Sequence, residues 1–255
     1  MKSEITIIIV TLNSDRYLET TIKSVLNQEL YIKNKVNILI QDGGSKDKTL
    51  SICRKFQKNF KNISIVQEKD HSHFDAMNKA SDKVKTKYLL YLHSDDYFNS
   101  PKSLNYLYYG IKNKNWCCAF VDFINSKNSI FKVMKPYKFT YKDMLVSNRV
   151  CHQTVLIKSF IHKNIKFDTR FSYAGDYLFF LNVWKKYGDP QIILKNIVNQ
   201  RFDGKNISSN YYLSLVDEFM CRLHFIQKKN KKHSLKWLII FILRYLKLYF
   251  FYNKK

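Results

Sequence analysis

Carboxylate side chains are scarce in this 255-residue chain, and several of them come shortly after short apolar runs. Asp42, Asp70 and the adjacent pair Asp95 and Asp96 are placed in this way, although Lys and Arg outnumber Asp and Glu by 44 to 20. Neighbouring carboxylates repel each other unless a cation or a shared proton lies between them. Because carboxylate oxygens suit hard divalent cations that hold substrate diphosphates, the pattern predicts a Mg²⁺ or Mn²⁺ site.

Four short apolar runs in the first hundred residues are predicted strands, and the acids follow the carboxyl ends of these strands. Each run is apolar at consecutive positions, as strands buried on both faces are. The predicted strands are Ile5 to Val10, Val36 to Ile40, Ile63 to Val66 and Tyr88 to Leu92. Segments with helical spacing lie between them, at Tyr17 to Leu26, Thr49 to Phe60 and Phe74 to Val84. This order predicts an α/β fold with a mostly parallel sheet, whose ligands bind beyond the carboxyl ends of the strands.

The second half of the chain is less regular. The predicted strands there are Trp116 to Ile124 and Gln191 to Val198. The predicted helices are Tyr141 to Val146, Asp176 to Tyr187 and Tyr211 to Ile226. A polar loop, Asp203 to Asn210, precedes the last helix, and a lysine-rich segment and an apolar stretch, Trp237 to Tyr252, follow it.

Composition excludes several classes of protein. The six glycines form neither G-x-G-x-x-G nor a P-loop, which argues against dinucleotide oxidoreductases and P-loop NTPases. The five cysteines include no C-x-x-C pair, which argues against a zinc knuckle or a disulfide framework and favours a reducing cytoplasm. The first apolar run is too short for a signal peptide, so we expect a cytoplasmic protein.

Several segments, taken in order, resemble those of family 2 glycosyltransferases. They are Ile5 to Asn13 with Ser24 to Gln28, Gln41 to Thr49, Phe74 to Lys79, Tyr91 to Asp96, Cys151 to Gln153, Phe167 to Thr169 and Ala174 to Tyr177. Each motif is weak by itself, but their order and spacing over about two hundred residues are specific.

The resemblance implies a GT-A fold with two halves and an extension. Residues 1–100 would form a Rossmann-like nucleotide-binding half, and residues 101–205 an acceptor half. Residues 206–255 would form basic, amphipathic C-terminal helices. The implied activity is an inverting transfer of a hexose or N-acetylhexosamine from a UDP-sugar to a glycan hydroxyl, with Mn²⁺ or Mg²⁺ as cofactor.

The same resemblance implies roles for individual residues. Asp176 is expected to be the catalytic base, and Asp95 to hold the metal with the support of Asp96. Thr11 and Asp42 would line the nucleoside pocket, the Asp42 carboxylate accepting a hydrogen bond from uracil N3–H. Further nucleotide-sugar contacts are expected from Asn13, Asp70, Asp75, Asn78, His93, Asp95 and Asp96. Acceptor-side contacts are expected from His152 and Gln153.

Three of these assignments have alternatives or departures. Asp176 would also suit a helix N-cap, and His152 would also suit a structural hydrogen-bonding role. His93 stands where the family usually has Asn or Asp, and the sequence is consistent with a contact to either the ribose or the metal. These departures affect donor contacts and sugar identity rather than the class of reaction.

The apolar stretch Trp237 to Tyr252 is too short to span a bilayer, and Arg244 and Lys247 interrupt it. As a helix it would carry a narrow cationic stripe, and four lysines lie just before it, which favours an anionic membrane surface. We therefore expect peripheral attachment to the inner face of the cytoplasmic membrane and a polyprenyl-diphosphate-linked acceptor, as in O-antigen-like polysaccharide synthesis. Packing on the domain or in a homodimer is the alternative.

A rival hypothesis follows from the net charge of +24 and the aromatic content. It is a basic nucleic-acid-binding protein with a degenerate glycosyltransferase-like domain. The acids at the strand ends would repel a phosphate backbone, so we expect no nucleic-acid partner.

Overall fold

The computed structural model describes residues 3–202 and 211–227. The sheet begins with four parallel strands in the spatial order β3-β2-β1-β4. They are β1 (Ile5–Thr11), β2 (Val36–Asp42), β3 (Ile63–Gln67) and β4 (Tyr88–Tyr91). Their ends lie within two residues of the predicted ends, so the parallel sheet expected from the apolar runs is confirmed.

The remaining strands extend the same sheet in the order β4-β8-β6-β9-β5, with β7 paired to β6. They are β5 (Tyr97–Phe98), β6 (Trp116–Ile124), β7 (Ile130–Val133), β8 (Val155–Lys158) and β9 (Gln191–Arg201). β8 runs antiparallel to both β4 and β6, whereas β6 and β9 are parallel. The sheet is therefore continuous across both halves of the chain and mixed in direction.

Helices connect these strands. In the first half they are α1 (Asp15–Leu26), α2 (Glu29–Ile32), α3 (Thr49–Asn59), α4 (His73–Asp82) and α5 (Ser103–Gly110). In the second half they are α6 (Tyr141–Val146), α7 (Ser159–Asn164), α8 (Gly175–Tyr187) and α9 (Tyr211–Gln227). All six predicted helical segments are confirmed, as α1, α3, α4, α6, α8 and α9, while α2, α5 and α7 were not predicted.

Alternation along β1 shows that the sheet is covered on both faces. Ile7 and Ile9 pack in one buried cluster with Leu18 of α1, whereas Ile8 packs in the other with Phe74 of α4. A strand with apolar contacts on both sides is apolar at nearly every position, and the run at residues 5–10 departs from this only at the buried Thr6. Burial on both faces fixes the strand and leaves its carboxyl end for polar side chains.

The helix α9 packs on the second half of the chain, against α8. Cys221 and Phe225 belong to the same buried cluster as residues of α8. The Asp217 carboxylate accepts hydrogen bonds from the backbone N–H groups of Tyr173 and Ala174, at 2.7 and 2.8 Å. The acidic side chain that satisfies the backbone just before α8 therefore comes from another helix.

Two sequence predictions concern other parts of the chain. The polar loop 203–210 and the apolar stretch at residues 237–252 lie outside the described residues. In the part of the chain that is described, no helix has the length and apolarity that crossing a bilayer requires.

Candidate active site

A cleft of about 1160 Å³ lies beyond the carboxyl ends of β1, β4 and β9. This is the edge of the sheet where the parallel topology predicts a ligand site. Nine of the expected site residues line it: Thr11, Asn13, Asp70, His93, Asp95, Asp96, His152, Gln153 and Asp176. Both halves of the chain therefore contribute to one cavity.

Asp42, at the end of β2, is fully buried beside the cleft. Its Oδ1 accepts hydrogen bonds from the backbone N–H groups of Gly44 and Ser45, at 3.0 and 2.9 Å. Its Oδ2 accepts from the hydroxyls of Thr11 and Ser45. Four donors fill the acceptor capacity of a carboxylate. In this state Asp42 organises the β2–α3 loop, and its contact with uracil stays a prediction.

Asn13 is held in a left-handed conformation, with φ of 50°. Asn tolerates this region better than most residues because its short amide can bond locally. Its Oδ1 accepts from the backbone N–H of Lys46 at 2.9 Å, and its own N–H donates to Ser45 Oγ at 2.9 Å. Asn13 thus joins the β1 and β2 loops at the edge of the cleft.

Asp70 lies against the glycine that follows Asp42. A Cβ atom at Gly43 would stand 2.3 Å from Asp70 Oδ2, so only glycine leaves room for this carboxylate. Burial and the nearby Asp75 carboxylate raise the pKa of Asp70. Asp70 therefore lies in the cleft wall, in close contact with the β2–α3 loop.

The neighbouring acids Asp95 and Asp96 have different environments. Asp96 is 2% exposed, and its carboxylate accepts from Gln153 Nε2 at 2.9 Å and from the Arg201 backbone N–H at 2.7 Å. Burial and the adjacent Asp95 raise the pKa of Asp96 well above its usual range. Asp95 is half-buried and lines the cleft. The side chain of Asp96 therefore serves mainly to hold the site together.

The donor set can be compared with what a divalent metal needs. Among the described residues no group of three or more His, Cys, Asp or Glu side chains is arranged to hold a metal ion. Mg²⁺ and Mn²⁺ at nucleotide sites need fewer protein ligands, since substrate phosphates and waters supply the rest. Asp95 fits this requirement, with Asp96 behind it, and metal binding there stays a prediction.

Three side chains form a hydrogen-bonded row across the cleft. His152 Nδ1 lies 3.1 Å from Asp176 Oδ2, and His152 Nε2 lies 2.6 Å from His93 Nε2. An ionised carboxylate only accepts, so His152 Nδ1 donates to Asp176. A neutral His152 then accepts at Nε2 from His93. The row connects the expected base on α8 with the residue that follows β4.

Burial keeps the histidines around this row neutral. Desolvation, followed by the neighbouring imidazoles of His152 and His73, lowers the pKa of His93 well below its usual range. Desolvation and His152 lower the pKa of His73 to about 4. The cleft therefore offers neutral imidazoles beside the carboxylates at neutral pH.

Asp176 is the second residue of α8 and is not its N-cap. Ala174 occupies the N-cap position, and no side chain caps the helix there. The Asp176 side chain is 13% exposed and turns to His152, with Asn148 Nδ2 at 3.5 Å from Oδ1. The N-cap interpretation is wrong, because Ala174 holds that position, although Asp176 Oδ1 does accept the first-turn N–H of Tyr177 at 2.7 Å.

Two expected contacts lie away from the cleft lining. The Asn78 amide donates to the Phe167 carbonyl at 2.9 Å and accepts from the Phe167 N–H at 3.0 Å. Asp75 accepts from the His71 backbone N–H at 3.0 Å and pairs with Lys79 at 3.2 Å. Both residues bond the protein's own loops in this structure, and a contact with the nucleotide sugar stays a prediction for each.

Arg201 is a site residue that the sequence analysis missed. It is 1% exposed, and its guanidinium carbon lies 3.7 Å from the centre of the Tyr17 ring. Its Nε donates to the Asp95 carbonyl at 3.2 Å. Arg201 sits three residues beyond the predicted end of its strand, where the apolar pattern has stopped. A buried arginine has no periodic signal that would mark it.

The chain matches the family described as "Glycosyl transferase family 2" over residues 6–202. An uncharacterised glycosyltransferase of Methanocaldococcus jannaschii is 25% identical over 91% of this chain and 82% of its own. A Methanococcus voltae enzyme is 30% identical over 74% of this chain and 65% of its own. Its name is dolichyl N-acetyl-alpha-D-glucosaminyl phosphate 3-beta-D-2,3-diacetamido-2,3-dideoxy-beta-D-glucuronosyltransferase.

Solved structures share the fold. TarS of S. aureus, in complex with UDP-GlcNAc, has a TM-score of 0.72 at 18% identity and covers 96% of this chain and 73% of its own. A mannosyltransferase of Pyrobaculum calidifontis with GDP-Man and Mn²⁺ has a TM-score of 0.67 at 13% identity, covering 94% and 70%. These similarities show a GT-A architecture. Together with the family match over most of the chain, they favour the enzyme over the nucleic-acid-binding hypothesis, and the chain belongs to the family 2 glycosyltransferases.

Proposed function

We propose that this glycosyltransferase transfers a hexose or N-acetylhexosamine from a UDP-sugar, with inversion, to a hydroxyl of a lipid-linked glycan. The observation that carries the proposal is the Asp176 carboxylate, which lines a cleft whose other side ends in Asp95. A single displacement needs a base on the acceptor side and charge stabilisation on the diphosphate side. The two carboxylates supply one group for each side.

In this mechanism Asp176 accepts the proton of the acceptor hydroxyl. The hydroxyl oxygen forms a bond to the anomeric carbon while the bond from that carbon to the diphosphate oxygen breaks, and UDP leaves. Attack from the face opposite the diphosphate inverts the anomeric configuration. Proton transfer to a positioned base typically contributes about two to four orders of magnitude in rate.

His152 orients the proposed base. Its Nδ1 donates to one oxygen of Asp176 and its Nε2 bonds to His93, which prevents the imidazole from turning. The other oxygen, Oδ1, accepts the Tyr177 backbone N–H at 2.7 Å, and because a carboxylate oxygen has two lone pairs it can still accept from the acceptor hydroxyl. The earlier expectation placed His152 against the acceptor itself. We propose instead that His152 is a positioning residue that acts through Asp176.

For the donor side we propose that Asp95 holds Mn²⁺ or Mg²⁺. Such an ion, when bound, offsets the charge that develops on the leaving diphosphate. Asp96 keeps Asp95 in place through its bonds to Gln153 and Arg201. Recognition of uracil by Asp42 would require Thr11 or Ser45 to withdraw its hydroxyl, since both now donate to that carboxylate.

The acceptor class is supported by one relative. The name of the Methanococcus voltae enzyme specifies a dolichyl-linked sugar phosphate, which is a polyprenyl-type carrier. We propose the same class of acceptor for this chain, within the synthesis of a surface polysaccharide. Attachment to the inner face of a membrane would bring the enzyme to such an acceptor, and a homodimer would be compatible with it.

The test uses purified full-length protein with a panel of UDP-Gal, UDP-Glc and UDP-GlcNAc and a short prenyl-diphosphate sugar as acceptor. We expect UDP release that needs Mn²⁺ or Mg²⁺, and a product linkage of inverted configuration by NMR. Asp176→Asn serves as the inactive control. A retained configuration, or release that does not depend on Asp176, would overturn the proposal.

A further inference from the structure

The strand β7 exposes large apolar side chains at the edge of the sheet. Ile130, Phe131 and Val133 are 54%, 54% and 64% exposed, and β7 pairs with β6 alone among the described strands. An exposed apolar edge strand is a site for association with another surface. Natural proteins usually cover such edges or place charges on them, whereas three of the four residues of β7 are exposed apolar side chains.

This edge is continuous with the cleft. The Phe131 ring lies 6.4 Å from the ring of Phe123, which lines the cleft. Phe202 lies 6.3 Å from Phe131 and 6.5 Å from Phe123. Tyr137, a few residues after β7, also lines the cleft. A molecule that touched β7 would therefore be next to the acceptor side of the site.

The same segment is strongly basic. Residues 123–142 contain five lysines and no acidic residue. Three of these lysines, Lys127, Lys132 and Lys135, are exposed around the apolar side chains. We call Ile130, Phe131 and Val133, together with these three lysines, the hairpin surface. Apolar side chains surrounded by cations match an anionic surface with an apolar interior.

Charge argues against two possible occupants of the hairpin surface: a second copy of the protein and the protein's own segment 228–255. A second copy on the same surface would bring lysines against lysines. The segment 228–255 carries nine Lys and Arg and no acidic residue, so it would be repelled as well. Like charges in direct contact are unfavourable unless counter-ions intervene. An anionic partner with an apolar layer beneath its charges would complement both the lysines and the apolar side chains of this surface.

We propose that the hairpin surface binds the face of an anionic phospholipid bilayer. Ile130, Phe131 and Val133 enter the headgroup region, and the lysines contact lipid phosphates. This places the acceptor side of the cleft at the membrane, where a lipid-linked acceptor is confined. Only that last step rests on the proposed function, since the lipid contact itself requires no sugar transfer.

The first test is sedimentation of the full-length protein with vesicles of phosphatidylcholine, with and without phosphatidylglycerol. The double variant Ile130→Ser/Val133→Ser removes two apolar side chains that are more than half exposed in the protein. We expect its partition coefficient on anionic vesicles to fall about tenfold, equivalent to ~1.4 kcal/mol. Ile32→Ser with Val216→Ser removes the same two side-chain types from exposed positions elsewhere and should bind as the parent does.

The second test locates the contact directly. Hydrogen exchange measured by mass spectrometry should show that residues 127–135 become protected when anionic vesicles are added, whereas α2 should not change. This readout is independent of any binding by residues 237–252. UDP release from a UDP-sugar, measured in the same samples, reports on the proposed function separately.

Three outcomes would overturn the inference. The first is equal vesicle binding by the Ile130/Val133 variant and its matched control. The second is unchanged exchange at residues 127–135 on vesicles that do bind the protein. The third is protection of the same residues by self-association or by RNA in the absence of lipid, measured by sedimentation velocity and by titration with an RNA oligonucleotide.

Discussion

The side of the cleft that we propose for the donor is made from loops that follow parallel strands. The side that we propose for the acceptor joins the 3-10 turn His152–Thr154, the start of α8 and the end of β9. On the donor side, Asp42 and Asn13 use their polar atoms on neighbouring loop residues. On the acceptor side, Asp176 accepts hydrogen bonds from the side chains of His152 and Asn148 and from the Tyr177 backbone N–H, and it lines the cleft.

This difference separates two tasks. A loop whose carboxylates are satisfied internally is rigid and can present backbone groups and one cation ligand to a nucleotide diphosphate. Asp176 has three donors for the two oxygens of its carboxylate, so it keeps acceptor capacity for a proton at the cleft. We therefore expect donor-side substitutions to change nucleotide affinity and acceptor-side substitutions to change turnover.

The largest expected effect is that of Asp176→Asn. We expect kcat to fall at least about a hundredfold with little change in UDP affinity, because the amide cannot accept the proton that moves in the transition state. Steady-state kinetics and calorimetry with UDP measure the two quantities. The control is Asp168→Asn, the same change at a carboxylate of the acceptor half that pairs with Arg170 instead. If UDP affinity fell together with kcat in Asp176→Asn, the two sides of the cleft would not have the separate tasks proposed for them.

Asp95→Asn tests the donor side. We expect the gain in UDP affinity that Mn²⁺ confers to disappear, because an amide lacks the anionic oxygen that a hard cation prefers. Calorimetry with and without Mn²⁺ measures that gain. Asp82→Asn, at an exposed carboxylate paired with Lys166, is the matched control. If metal-dependent affinity survives in the Asp95 variant, Asp95 does not hold the ion.

His152 lies between the two sides, and its variants sharpen the comparison. We expect His152→Ala to lower kcat about tenfold with KM nearly unchanged, the cost of losing one hydrogen bond to a charged group. His152→Asn should recover much of the rate, because its amide can donate from nearly the position of Nδ1. Equal losses in both variants, or a rise in KM alone, would favour direct contact with the acceptor.

The two sides also differ in how much the sequence predicts. Runs such as residues 5–10 predicted the parallel strands because a strand buried on both faces is apolar at most consecutive positions. The acids after those strands then follow from topology. β8 is as short as β4 and apolar at three consecutive positions, but it follows a 3-10 turn rather than a helical segment and pairs antiparallel with both neighbours, so the alternation of strands and helices did not mark it.

Individual site residues show the same limit. His152 and Asp176 were expected from motifs, but their hydrogen bond joins residues 24 positions apart, and no spacing rule predicts it. Asn78 was expected at the nucleotide because of its motif, whereas here its amide clamps the Phe167 backbone 89 positions away. Contacts of this kind depend on how helices and loops pack, which local patterns do not specify.

The smallest expected effect concerns His73, at the start of α4 where the two sides meet. Its pKa of about 4 lies below the ordinary 6.5, mainly because of burial and then because of His152. Between pH 6.5 and 4 the unfolded chain binds the proton at this residue and the folded chain does not, so the stability that His73 allows falls as the pH falls. Asp96 acts in the opposite direction, since its raised pKa keeps its proton on the folded chain.

The measurement therefore compares two proteins. When the pH is lowered, the Tm of the His73→Gln variant should fall by a few degrees less than the Tm of the parent. His71→Gln changes an exposed histidine two residues away, and its Tm should fall on acidification by as much as that of the parent. Identical pH profiles of Tm for the His73 variant and the parent would mean that His73 is solvated, and that the two sides do not close over it.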